Sequence, residues 1–135
     1  MPGIKIVLDT NVFLRNLLGS PLHSRIFKAF KDGSFEIVLS VPLLKEVVDV
    51  LNRPEFKFNT EDIKKFLHSI EKKAIMVESK TNIHACRDDS DNIILEAAVS
   101  ANANIIVTND KDLLVLNPFH EILVLSPNEF LERLE

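Results

Sequence analysis

Four acidic side chains have the type and spacing expected at a binding site for a divalent metal ion: Asp9, Glu46, Asp91 and Asp110. Asp9 directly follows a short apolar run, and Asp110 lies three residues after another. Glu46 and Asp91 fall in the opening turns of segments that have helical patterns. Ligands that are all oxygen atoms favour Mg²⁺ or Mn²⁺ over Zn²⁺. The pattern therefore predicts one Mg²⁺ or Mn²⁺ site formed by four carboxylates.

Each of these acids also has a structural explanation when it is taken alone. Asp9 could cap the first helix, Asp91 could be a favourable charge at a helix N-terminus, and Asp110 could be a turn residue. Glu46 is harder to explain because it borders the apolar stripe of its helix, where a glutamate needs a partner or a metal ion. Taken together, four like charges in one cleft would repel one another by several kcal/mol unless a cation lay between them.

The segments that would position the acids alternate between strand-like and helix-like patterns. Five apolar runs are predicted to be strands: residues 4–8, 35–39, 74–77 (at a sheet edge), 105–107 and 122–125. Helices are predicted at 11–18, 24–32, 40–52, from a cap at Thr60, from Ser90, at 110–114, and from the capping-box residues 126–129.

This alternation predicts right-handed βαβ units and a mainly parallel sheet between layers of helices. The 135 residues, without a linker or a repeat, predict a single α/β domain over residues 1–135. In open parallel sheets, ligands bind beyond the carboxyl ends of the strands. All four acids are therefore expected at one end of the sheet.

The net charge of −4 is unfavourable for binding a polyanion, but the charges are unevenly distributed. Residues 1–80 contain 13 of the 16 Lys and Arg with 10 acids, a balance of +3, whereas residues 81–135 contain 3 bases with 10 acids, a balance of −7. Arg15, Arg53 and Lys57 in the more basic part are candidate phosphate contacts. Ordinary surface charge stays open as the alternative for each of them.

Other chemistries have little support in the sequence. The four histidines have no metal-ligand spacing, and Cys86 has no second cysteine for an intrachain disulfide. Gly-rich phosphate loops and serine-hydrolase motifs are absent from the sequence. No apolar run is long enough to span a membrane, and the N-terminus does not resemble a signal peptide, so a soluble, cytoplasmic protein is expected.

The residues around the four acids resemble the motifs of the PIN-domain ribonucleases. VLDTNVFL resembles the family's opening motif, whose aspartate matches Asp9 and whose polar follower matches Asn11. SVPLLKEV resembles the second motif, with its glutamate at Glu46. CRDDSDNIILEAA resembles the third, which matches Asp91 and, as an accessory acid, Asp88. The fourth, IIVTNDKDLL, supplies Asp110 as the main acid and Asp112 as a second one.

The four motifs occur in the family's order and cover nearly the whole chain. The resemblance implies a three-layer α/β/α sandwich and hydrolysis of RNA phosphodiester bonds with one or two Mg²⁺ or Mn²⁺ ions. The implied metal ligands are Asp9, Glu46, Asp91, Asp110 and Asp112, and Asn11, Asp88 and Thr108 would support them. With the RDxxDN pattern of residues 87–92, the chain resembles the family's stand-alone toxins of toxin–antitoxin systems, which implies an antitoxin partner and a homodimer.

Three alternatives stay open at this point. A receiver-like phosphoacceptor domain would need paired acids after the first strand and a lysine after the last, whereas Asp9-Thr10-Asn11 and Ser126-Pro127 stand there. A haloacid-dehalogenase-like phosphatase would need a second acid two residues after Asp9, where Asn11 stands. A catalytically silent RNA- or protein-binding module on the same fold would not need a complete set of acids.

Overall fold

A computed structural model describes residues 3–80 and 82–135. Their strands are β1 (Lys5–Leu8), β2 (Glu36–Ser40), β3 (Ile75–Val77), β4 (Ile105–Val107) and β5 (Leu123–Leu125). These strands form one sheet in the order β3-β2-β1-β4-β5, and all four neighbouring pairs are parallel. The predicted parallel sheet, with the third strand at an edge, is confirmed.

Seven α-helices lie between and after the strands of the described residues. They are α1 (Thr10–Leu17), α2 (Pro21–Lys31), α3 (Val41–Leu51), α4 (Thr60–Glu71), α5 (Asp89–Ala101), α6 (Lys111–Leu114) and α7 (Pro127–Leu134), with a short 3₁₀ turn at Pro54–Phe56. Helix α5 packs across β1, β2, β3 and β4, whereas α1 packs on α2 and α3, and α2 packs on α7. The predicted α/β/α sandwich is confirmed.

Burial on both faces explains why the central strands are apolar runs rather than alternating patterns. Ile6, Val7 and Leu8 of β1 are completely buried, as are Ile106 and Val107 of β4. Helices cover both faces of these strands. The residues that point to either face are therefore buried, and all of them need apolar side chains. Edge strand β3 is only partly buried.

Most helices begin within one residue of the predicted position, but α2 shows a larger shift and α4 has another cap than the sequence predicts. Helix α2 begins three residues earlier, at Pro21, because the Ser20 hydroxyl accepts a hydrogen bond from the His23 backbone N–H and proline suits the first helical position. Helix α4 is capped by Asn59, whose Oδ1 accepts the Glu61 N–H at 2.8 Å. The prediction of a Thr60 cap is wrong because the preceding asparagine takes that role. The predicted capping box at Ser126 is confirmed.

The order of the strands creates a crevice at the carboxyl ends of β1 and β4. From β1 the chain continues to β2 on one side, and from β4 it continues to β5 on the other, which is the arrangement where open α/β sheets bind ligands. Backbone hydrogen bonds extend the ladders one residue further, from Asp9 N to Val107 O (3.0 Å) and from Thr108 N to Leu125 O (2.9 Å). The loops that follow both strands therefore begin from fixed positions.

The irregular segment before α5 is attached to one face of that helix. Side-chain oxygens at four-residue spacing on α5 accept backbone N–H groups of this segment. The three hydrogen bonds are Lys80 N to Ser100 Oγ (3.2 Å), Ile83 N to Glu96 Oε2 (2.9 Å) and Cys86 N to Asn92 Oδ1 (3.0 Å). We call residues 82–88 the docked loop, because the bonds at Ile83 and Cys86 hold this segment, which has no regular structure, against α5.

Within residues 3–80 and 82–135, no helix combines the length and the apolar character needed to cross a lipid bilayer.

Asn92 makes the strongest attachment of the docked loop, since its amide also donates from Nδ2 to the Cys86 carbonyl at 3.0 Å. Asn92→Leu keeps the volume but leaves both backbone groups of Cys86 unpaired. We expect it to lower the free energy of unfolding by about 1–3 kcal/mol, measured by urea denaturation. Asn52→Leu is the matched control because the Asn52 amide is exposed and donates to the Val48 carbonyl alone. Equal losses in the two variants would contradict this role for Asn92.

Candidate metal centre

Asp9 follows β1 and occupies the cap position of α1, but its carboxylate does not cap the helix. The side chain makes no capping hydrogen bond, and the carboxylate accepts hydroxyl groups, from Thr108 at 2.6 Å and from Thr10 at 3.2 Å. Only 7% of the residue is exposed. Helix capping therefore does not explain why a carboxylate is buried at this position.

Thr108 joins the loop after β1 to the loop after β4. Its fully buried hydroxyl donates to Asp9 Oδ2 and accepts the backbone N–H of Asp110 at 2.9 Å. One hydroxyl thus sets the orientation of the Asp9 carboxylate and the start of the next acidic loop. This contact agrees with the supporting role that the sequence predicts for Thr108.

Three carboxylates approach one another beside these two residues. Oxygen atoms of Asp91, Asp110 and Asp112 all lie within 4.8 Å of one another. Asp110 caps the short helix α6, because its Oδ1 accepts the Asp112 N–H at 2.9 Å. One of the two carboxylate oxygens of Asp110 therefore has a structural role in the turn, as the alternative explanation of this residue expects. We call Asp91, Asp110 and Asp112 the acid cluster.

Asp91 occupies an unfavourable position for a charged carboxylate in the absence of a cation. It is 4% exposed, and its Oδ2 has no hydrogen-bond partner among the described residues. Burial, the adjacent Asp110 carboxyl group, and the charges of Asp9 and Asp88 raise the pKa of Asp91 to about 7. Two ionised carboxylates 4.8 Å apart repel each other by about 3 kcal/mol at an effective dielectric constant of about 20.

The pKa of Asp9 is also raised, mainly because burial disfavours its charged form. The hydrogen bonds from Thr108 and Thr10 act in the opposite direction, and the nearby charge of Asp110 raises the pKa further. Asp9 and the acid cluster thus form one electrostatically linked group. A divalent cation placed among them would remove the repulsion and supply the unpaired Asp91 oxygen with a partner.

Glu46 extends from α3 to the N-terminus of α5, where the Ser90 hydroxyl donates to its Oε2 at 3.0 Å. It is half-buried, as expected from its place beside the apolar stripe. A glutamate at this position is expected to need a polar partner or a metal ion, and Ser90 is such a partner. Glu46 is therefore held next to Asp91 by its hydrogen bond to Ser90, the residue before Asp91, but it is not a member of the acid cluster.

The other residues with predicted roles divide into near and remote positions. Asp88 caps α5, accepting the Ser90 N–H at 2.9 Å, and its charge contributes to the raised pKa of Asp91. Asn11 is exposed in the first turn of α1. The candidate phosphate contacts are not brought beside the acids. Arg15 lies about 9 Å along α1 from Asp9, and Arg53 and Lys57 lie beyond the far end of α3.

The sequence predicts no role at the metal site for three residues that the structure places there, namely Arg87, Ser90 and Asn92. Arg87 lies beside the acid cluster, with Nη2 3.5 Å from Asp112 Oδ2. Its place inside the CRDDSDN motif is the signal that could have identified it. The neighbouring Cys86 is not an activated nucleophile, because burial and the surrounding acids raise the pKa of its thiol.

The raised pKa of Asp91 predicts how stability depends on pH in the absence of metal ions. An unfolded aspartate titrates near 3.8 and Asp91 in the folded protein at about 7, so the folded state holds more protons between these values. The free energy of unfolding should therefore fall as the pH rises from about 4 to about 7. Denaturant titrations in EDTA across this range measure the slope.

Asp91→Asn should make that slope less steep, because an amide does not titrate, whereas Asp9, whose pKa is also raised, still contributes to it. Asp49→Asn, at an exposed position of α3, makes the same change of charge and should retain the slope of the unaltered protein. An unchanged slope in Asp91→Asn would show that Asp91 does not resist ionisation in the folded state.

Comparison with known proteins identifies the family of the chain. The family model of the PIN domain matches residues 5–112, a span that contains Asp9, Glu46 and the whole acid cluster. An uncharacterized protein of Methanocaldococcus jannaschii is 30% identical over 144 residues, covering 98% of this chain and 92% of that protein. With its parallel sheet and its acids at the carboxyl ends of β1 and β4, the chain belongs to the PIN-domain family.

Proposed function

We propose that the protein is a ribonuclease that hydrolyses RNA phosphodiester bonds with Mg²⁺ or Mn²⁺ bound at the acid cluster. PIN domains are generally nucleases, and the family match supports that class of reaction. The observation that carries the proposal is the buried Asp91 Oδ2, which lacks a hydrogen-bond partner and lies within 4.8 Å of the other carboxylates of the cluster. A buried carboxylate in such surroundings is well suited to a cation and poorly suited to a purely structural role.

The donor atoms of the site fit a hard divalent ion. Asp91, Asp110 and Asp112 would hold it, with Asp9 and Glu46 as further ligands, either directly or through water. All of these donors are carboxylate oxygens, which favours Mg²⁺ or Mn²⁺. Such an ion, when bound, lowers the pKa of a coordinated water and stabilises charge on phosphoryl oxygens.

The side chains around the acids have separate tasks in this proposal. Thr108 holds the Asp9 carboxylate in one orientation and fixes the Asp110 backbone, and Ser90 holds Glu46 beside the N-terminus of α5. The acids are thereby oriented before a cation arrives, so little reorganisation is needed on binding. An antitoxin partner, a homodimer and a cytoplasmic location remain predictions from the family resemblance and the sequence.

Asp9→Asn should abolish metal-dependent cleavage while the fold is retained. The asparagine oxygen can still accept the Thr108 hydroxyl, but the charge that would attract the cation is lost. Cleavage of a fluorescent single-stranded RNA is measured with Mg²⁺, with Mn²⁺ and with EDTA. We expect a loss larger than the roughly 10–100-fold typical of residues that only support metal ligands. Asp49→Asn is the control, and full activity of Asp9→Asn would overturn the assignment.

Thr108 offers a graded test of positioning. Thr108→Val removes the hydroxyl from both Asp9 and Asp110 and should lower activity by roughly 10–100-fold. Thr108→Ser keeps the hydroxyl and should retain most of the activity. The affinity for Mn²⁺, measured by calorimetry, should change in the same order as activity. Equal activities of the serine and valine variants would exclude the positioning role.

A further inference from the structure

Arg87, on the docked loop, lies at the rim of the acid cluster, and we propose that it binds a phosphate of the RNA backbone next to the phosphate at which cleavage occurs. This proposal rests on the proposed function, because it assigns the substrate contact of the same site. It differs from the contacts that the sequence predicts, which lie at the far ends of α1 and α3.

The part of the sequence that carries the acid cluster has few basic residues. Residues 81–135 contain three, namely Arg87, Lys111 and Arg133. Among the described residues, two ion pairs occur: Arg25 with Glu135, near the C-terminus, and Arg87 with Asp112. Arg87 is thus the one described cation that is paired with a member of the acid cluster.

The ion pair of Arg87 is easily exchanged for another partner. Its side chain is 92% exposed, and one nitrogen, Nη2, approaches Asp112 Oδ2 at 3.5 Å. A long, exposed pair of this kind is weak, because water and salt screen it. A guanidinium group has five N–H donors in a planar fork that matches two oxygens of a phosphate. A phosphate can therefore replace Asp112 as the partner of Arg87.

The backbone on both sides of Arg87 is already fixed in place. Cys86 is held through both its N–H and its carbonyl by the amide of Asn92, and Asp88 caps α5 through the Ser90 N–H. Arg87 therefore extends from a short backbone segment that is anchored at each end. Binding a phosphate needs only the side chain to become ordered, which limits the entropic cost.

Charge explains why a cation is needed at this position. The acid cluster repels a polyanion over the distance of a Debye length, about 8–10 Å at ordinary salt concentrations. A bound divalent ion neutralises part of this charge at the cleavage point but offers little to the neighbouring phosphates. Arg87 Nη2 is 3.5 Å from Asp112, and its long, exposed side chain can reach a phosphate beside the one held at the cluster.

The test measures RNA binding separately from cleavage. Asp9→Asn serves as the parent, so that the probe stays intact, and fluorescence anisotropy follows a short fluorescein-labelled single-stranded RNA in Mg²⁺ at several salt concentrations. Adding Arg87→Ala should weaken binding by about tenfold and reduce the salt slope by about one unit. Arg87→Lys should give an intermediate affinity, because lysine offers a point charge without the planar fork.

Arg133→Ala is the matched control, since it removes the same charge from the same acidic part of the chain. Arg133 is exposed on α7 and lines a cavity of about 650 Å³ together with Ile4, Asn104 and Leu123, at the amino ends of the strands. It therefore lies at the opposite end of the sheet from the acid cluster. Its removal should change the affinity by no more than about twofold.

The outcomes separate this proposal from the proposed function. Equal affinities for the Arg87→Ala and Arg133→Ala proteins, or no measurable binding by the parent, would overturn the role of Arg87. Absence of Mn²⁺-dependent cleavage by the unaltered protein would overturn the nuclease proposal, even if Arg87→Ala weakens binding. In the unaltered background, Arg87→Ala should raise KM about tenfold and change kcat little. An unchanged KM would also overturn the role of Arg87.

Discussion

The hydroxyl group of Thr108 connects the sheet to the acidic site. It lies at the end of β4, is completely buried, and contacts the loop after β1 and the loop after β4 at once. Parallel strands bring many side chains to one edge, but they leave the orientation of each carboxylate free. A donor with one hydrogen, placed between two backbone ladders, removes that freedom for Asp9. A neutral residue thus sets the orientation of one acid and the start of the loop that carries two others.

The arrangement of like charges is maintained by burial and packing of the apolar core. Asp9 and Asp91 are buried beside Asp110, and this raises the pKa of both. Such an arrangement lowers the stability of the folded chain at neutral pH, and the apolar strands beneath it must offset that loss. The buried acids therefore lower the stability of the folded chain at neutral pH in the absence of a cation.

The sequence was sufficient to predict the sheet, its edge strand and the end at which the acids lie, because apolar runs and helix signals depend on local physics. It placed Asp112 near Asp110, since both are in one short loop. It did not reveal that Ser90 is the partner of Glu46, which lies 44 residues away along the chain. Arg87 was missed for a similar reason: its contact with Asp112 depends on the docked loop, whose path is set by side chains of α5. Local patterns carry no information about such pairings.

The attachment of the docked loop has a consequence for how its length can change. The bonded N–H groups of Lys80, just before this loop, and of Ile83 and Cys86 within it recur every three residues. The accepting side chains on α5 recur every four, a rise of about 6 Å along the helix. The segment therefore advances about 2 Å per residue, less than the roughly 3.3 Å of a strand. Removing one residue would put the donors before the gap out of phase with their acceptors, but removing three would let those donors pair one helical turn further on. Chains related to this one should vary in this segment in steps of three.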